Sequence, residues 1–87
     1  MKVLLYNTEN SNEILFLTNL PPTATEESLA KLFTEFTGFK EVRIVPGKSD
    51  IAFVEYSTGK QALAAKTVLD GFQITTTHAM TVSFADR

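Results

Sequence analysis

Residues 49–56 read Ser49-Asp50-Ile51-Ala52-Phe53-Val54-Glu55-Tyr56, and residues 14–20 read Ile14-Leu15-Phe16-Leu17-Thr18-Asn19-Leu20. Both are short apolar runs bounded by breakers, Pro46-Gly47 ahead of one and Pro21-Pro22 behind the other. A run of this length between turn signals reads as a strand near the centre of a sheet. Side chains alternate along a strand, so Leu15, Leu17, Ala52, Val54 and Tyr56 are expected on one face, against the core. Ile14, Phe16, Thr18, Ile51, Phe53 and Glu55 then fall on the other face, with one aromatic ring on each strand.

Outward from these runs the chain alternates between two periods. Glu41-Val42-Arg43-Ile44-Val45 alternates and stops at Pro46-Gly47; with Lys48-Ser49-Asp50 as a short turn it predicts a hairpin with residues 51–56. After the prolines, Thr23 and Thr25 offer N-caps, Glu26 stands three residues past Thr23 as a capping box requires, and Glu27 adds to the acidic first turn. Leu29, Leu32, Phe33 and Phe36 follow at i, i+3, i+4 and i+7, one helical face, and Gly38 is expected to close that helix. A second helix begins near Thr58, with Ala62, Ala65 and Leu69 on one side and Gly71 just past its end. Met80 to Phe84 alternates Met80, Val82 and Phe84 with Thr81 and Ser83, a last strand. Residues 1–12 end in the polar stretch Asn7 to Asn12 and read as a linker, leaving residues 13–87 as the domain.

The order β-α-β-β-α-β predicts an α+β, ferredoxin-like fold. Right-handed crossovers put both helices on one face of a four-stranded antiparallel sheet and leave the other face bare. The predicted core is Leu15, Leu17, Leu29, Phe33, Phe36, Val54, Tyr56, Ala62, Ala65, Leu69, Val82 and Phe84.

The chain's 87 residues suffice for one domain, and 44% hydrophobic residues with seven phenylalanines describe a globular core. There is no cysteine, hence no disulfide framework and no thiolate metal site. No apolar run approaches a membrane span, and the start MKVLLYNTEN has neither the apolar length nor the cleavage site of a signal peptide. His78, the single histidine, has no cysteine to share a metal with, so it reads as a turn or surface residue. Glu26 and Glu27 diverge by ~100° on a helix and cannot act as an acid–base pair. No glycine-rich phosphate loop is present. These features predict no catalytic residues, no metal, no cofactor and no small-molecule substrate. The formal charge of −2 and pI near 5.2 also lack the basic signature of a strong nucleic-acid binder.

The two central runs carry a resemblance. Leu15 to Leu20 resembles the six-residue RNP motif of RNA-recognition-motif (RRM) domains, and Ser49 to Tyr56 resembles the eight-residue one, K/R-G-F/Y-G/A-F-V-x-F/Y. Ala52, Phe53, Val54, the unrestricted Glu55 and Tyr56 fit; Ser49, Asp50 and Ile51 depart from it. Ile14 to Pro21 (ILFLTNLP), Gly38 to Arg43 (GFKEVR) and Asp50 to Glu55 (DIAFVE), with Gly71-Phe72 and Ala79-Met80, look like the second, C-terminal RRM of the spliceosomal snRNP A and B-double-prime proteins.

The resemblance implies a module of pre-mRNA splicing, located in the nucleus, and a monomeric domain of a longer protein. Its partner would be single-stranded RNA, bound weakly, or an snRNP protein. On the open face, Phe16 and Phe53 would stack bases, with Thr18, Asn19, Arg43 and Ile51 beside them. Ile51 stands where a second stacking ring is usual, Ser49 and Asp50 replace a base and a glycine, and Asp86 stands where the family pattern continues with basic residues. Arg43 has two open roles: a phosphate or base contact, or a cross-strand ion pair with Glu55. Lys40 and Lys48 could extend a small basic edge. The alternative function is a protein-interaction or spacer RRM that does not itself bind RNA. In that reading Ile14, Phe16, Val45, Ile51 and Phe53 form an apolar contact patch, left partly exposed or covered by residues 3–6.

Overall fold

The computed structural model describes residues 12–85. Strand β1 spans Ile14–Thr18, helix α1 Glu26–Phe33, β2 Phe39–Ile44, β3 Ala52–Tyr56 and helix α2 Gly59–Leu69. Three short strands follow: β4 Gln73–Thr75, β5 His78–Ala79 and β6 Thr81–Phe84. The main sheet has the order β2-β3-β1-β6, with every neighbouring pair antiparallel. β1 and β3 lie side by side at its centre.

Alternation fixes the two faces of the sheet. Leu15, Leu17, Ala52, Val54 and Tyr56 are fully buried, and Leu29, Phe33, Ala62, Ala65 and Leu69 meet them from the helices. Leu20, Val42, Met80 and Val82 complete the core. The alternating open-face residues of β1 and β3 are only half-buried, so both helices lie on one side, as the strand–helix order requires.

The helix starts follow from their caps. Thr25, not Thr23, caps α1: its hydroxyl accepts from the Ser28 N–H while the Ser28 hydroxyl accepts from the Thr25 N–H, both at 3.0 Å. Glu26 is therefore free of the expected box, and its carboxylate accepts the N–H of Ile44 on β2 at 2.9 Å. Thr58 and Gln61 make the equivalent box on α2. Gly38 has φ +93, and a Cβ there would overlap the Gln61 side-chain amide. Glycine thus lets the entrance to β2 pass against the start of α2.

Helix α1 stops at Phe33, well short of Gly38. The Phe33 carbonyl accepts from the Phe36 N–H at 3.1 Å and from the Tyr56 hydroxyl at 2.6 Å, so a tight turn replaces the next helical bond. Phe36 consequently leaves the helix and packs half-buried at the core's rim, not inside it as expected. Phe84 is likewise only half-buried: it pairs with Leu15 on the helix side, and Lys66 of α2 lies over its ring at 5.6 Å. β2 begins two residues earlier than predicted, at Phe39, and ends at Ile44, leaving Val45 beyond the strand. The last strand starts at Thr81 rather than Met80 because Met80 is drawn into backbone bonds with Gly71 and Phe72. The small β4–β5 ribbon was not anticipated at all.

Candidate nucleic-acid interface

The open sheet face is built in cross-strand rows. One row runs Arg43, Phe53, Phe16, Ser83 across β2, β3, β1 and β6. The Phe16 and Phe53 rings sit with centroids 5.2 Å apart and planes tilted by 38°. Both are half-buried, so a surface of each ring remains for a ligand. The row toward the start of β1 runs Glu41, Glu55, Ile14. At the other end Thr18 pairs with Thr81. Ile51, half-buried, immediately precedes β3.

Of the sequence-predicted site residues, Phe16, Phe53, Thr18 and Arg43 are thus brought together by strand register, with Ile51 at the margin. Asn19 has another occupation. Its φ of 61 ends β1 in the left-handed region that asparagine tolerates, and its side-chain amide donates to the Ala79 carbonyl at 2.9 Å. It ties the end of β1 to β5. In the apolar patch, Ile14 lies beside Glu55 in the sheet, and Val45 is half-buried in the turn after β2, outside the ladder. The expected cover by residues 3–6 lies outside the described residues.

The charges are arranged differently from the expectation. Glu41 and Glu55 are direct cross-strand partners, an unfavourable juxtaposition of like charges. Each carboxylate has its own cation: Arg43 Nε lies 3.5 Å from Glu41, and Lys40 Nζ 3.8 Å from Glu55. Arg43 therefore pairs along its own strand and not with Glu55. Lys40 reaches Glu55 because the ladder shifts register between Phe39 and Glu41, giving β2 one extra residue. Both pairs are solvent-exposed, a setting in which an ion pair contributes ~0.2–1 kcal/mol.

Two residues went unnamed as site candidates: Ser83, beside Phe16, and Thr81, beside Thr18. Their alternation with Val82 and Phe84 in the last strand already placed them opposite the core. His78 opens β5, with Nδ1 3.0 Å from the hydroxyls of both Thr75 and Thr77. Among the described residues no group of three His, Cys, Asp or Glu could hold a metal ion, and no helix is long and apolar enough to cross a membrane.

A sheet with helices on one face and an aromatic pair on the two central strands of the other defines an RRM-type binding domain. The family model of the RNA recognition motif matches residues 15–80, and the chain belongs to that family. It is a binding module and not an enzyme. The chain is 58% identical over 76 residues to the U1 small nuclear ribonucleoprotein A of Drosophila melanogaster, covering 87% of this chain and 35% of that protein. Over 76 residues it is 46% identical to the U2 small nuclear ribonucleoprotein B'' of Arabidopsis thaliana, covering 87% of this chain and 33% of that protein. The chain thus spans about a third of the length of the curated relatives it matches. Among solved structures, the MEC-8 C-terminal RRM domain bound to AGCACA superposes with a TM-score of 0.74 at 31% identity, over 90% of this chain and 95% of that one.

Proposed function

We propose that this domain is the RNA-binding-family module of a spliceosomal snRNP protein, serving pre-mRNA splicing in the nucleus and contacting single-stranded RNA weakly through its open sheet face. The observation that carries this reading is the Phe16–Phe53 pair, 5.2 Å apart on adjacent central strands of a face with no helix. Unstacked bases are bound on such aromatic platforms, which need no particular base because every base has a π-face. Thr18 and Ile51 extend the platform, and Ser83 and Thr81 supply hydroxyls along one side. Residues 13–87 act as one monomeric domain, with residues 1–12 as the linker into it.

Weakness follows from the charges. Arg43 and Lys40 are each engaged by a carboxylate of the same face, so phosphate must compete for them. The same observation favours the second reading, in which the face is a contact for an snRNP protein and RNA is held elsewhere in the protein. The deciding experiment is an NMR titration with a short single-stranded RNA at low and physiological salt. Movement of amides at residues 14–18, 51–55 and 81–84 is expected. If those amides stay fixed at low salt, the RNA reading fails and the protein-contact reading takes its place.

A further inference from the structure

Beside the base platform stands a carboxylate, a group with a marked chemical preference. Glu55 lies two residues along β3 from Phe53, on the same face, with Ile14 on one side of it and Glu41 on the other. Its side chain is 30% exposed, and the Lys40 contact, at 3.8 Å, is long for a charge-assisted hydrogen bond, leaving the carboxylate oxygens able to accept more. The other polar neighbours discriminate poorly: the hydroxyls of Thr18, Thr81 and Ser83 donate or accept equally. Arg43, the cross-strand partner of Phe53, is turned to Glu41 through its Nε.

An ionised carboxylate only accepts hydrogen bonds. A base stacked on Phe53 with its Watson–Crick edge directed along β3 would bring that edge toward Glu55, two residues away on the same face. Guanine presents two adjacent donors there, N1–H and the N2 amino group, which match the two carboxylate oxygens. Adenine and cytosine each offer one amino donor beside a ring-nitrogen acceptor. Uracil offers its single N3–H between two carbonyl acceptors, which a carboxylate repels. We propose that Glu55 reads the base stacked on Phe53 and selects guanine, so that the acidic residue which weakens phosphate attraction also gives the face its base preference. The inference rests on the stacking reading of the same face and adds a specificity to it.

The test uses the full chain, isotope-labelled, titrated with UUGUUU, UUIUUU (I, inosine), UUAUUU and UUUUUU at low salt. Inosine keeps the purine stack and N1–H but lacks the amino group, so it separates stacking from edge reading. Guanine is expected to bind roughly fivefold or more tighter than inosine or adenine, the lower end of discrimination by a paired contact, and Glu55 amide shifts should be largest with guanine. In Glu55→Gln, which keeps shape but replaces one acceptor with a donor, guanine should fall level with inosine. Equal affinities for the three purine hexamers overturn the inference while leaving stacking intact, and so does a guanine preference that survives in Glu55→Gln. Failure of all four RNAs to move the sheet-face amides overturns both the inference and the stacking reading on which it rests.

Discussion

Tyr56 shows how one residue joins fold and environment. Its ring is fully buried, and its hydroxyl donates to the Phe33 carbonyl at 2.6 Å, giving the end of α1 a second donor beside the Phe36 N–H. Burial raises the phenol to about 12. The unfolded chain ionises this group near 10 while the folded chain does not. Its contribution to stability is therefore complete below pH 10 and is lost as pH rises toward 12, by roughly 2–3 kcal/mol. Urea unfolding between pH 9 and 11.5 should show that loss, and Tyr56→Phe should reduce it. At neutral pH the same substitution should lower stability by ~1–2 kcal/mol, because the Phe33 carbonyl loses a buried donor. Phe16→Ala and Phe53→Ala belong to the other face. They should abolish RNA-induced shifts while the helix-side amides keep their native positions; unchanged titrations in both variants would remove the stacking role. These faces were legible from a period of two in residues 14–18 and 51–56. The partner of Arg43 was not, because a rotamer and a one-residue register shift decide it, and neither leaves a periodic trace.

Among elements, the centre was readable and the ends were not. β1, β3 and α2 follow strong patterns, whereas α1 stops where the tight turn at Phe33 to Phe36 replaces helical bonding. The spacing of Phe36 imitates a fourth helical contact. A truncation series should separate the two rings. Phe33→Ala, at a fully buried site, should cost ~3–5 kcal/mol, and Phe36→Ala distinctly less, since its ring is only partly buried at the core's rim. Equal losses in chemical denaturation would return Phe36 to the core. The sheet edges carry a second element-scale device that sequence hides. Outward N–H groups of both edge strands are occupied by carboxylates at helix ends: Ile44 on β2 by Glu26, the first residue of α1, and Val82 on β6 by Asp70, just past α2, each at 2.9 Å. Unpaired edge donors are templates for foreign strands. Asp70→Ala should therefore lower stability by ~1–2 kcal/mol, the cost of an unsatisfied partly buried donor, and raise concentration-dependent association in light scattering. The β4–β5 ribbon escaped the sequence reading because its strands have three and two residues and no apolar alternation. What holds it includes the Asn19 amide and the backbone pairs of Met80 with Gly71 and Phe72, contacts distant in sequence.

For the whole molecule, net charge sets how strongly the proposed face could attract RNA. The chain carries −2, and on the open face Arg43 is paired with Glu41 and Lys40 with Glu55. Phosphate contacts are the source of salt dependence, since each one releases condensed counterions. On the proposed reading, with those contacts mostly absent, affinity would rest on stacking. Two bases at ~1–3 kcal/mol each supply ~2–6 kcal/mol, and a millimolar complex already requires ~4 kcal/mol. Binding of a short single-stranded RNA should therefore lie in the high micromolar range or weaker and change little between 50 and 200 mM salt. Glu55→Lys removes one negative charge and adds one positive, taking the chain from −2 to 0 and freeing Lys40 as well. That variant should bind more tightly at low salt and acquire a log–log salt slope of roughly −0.7 for each phosphate newly contacted. The slope separates causes that affinity alone would confuse: a gain from better stacking would leave the line flat, whereas a gain from phosphate must tilt it. A steep slope in the unmutated chain would mean that Arg43 or Lys40 leaves its carboxylate for phosphate, and the weak-binding account would then fall.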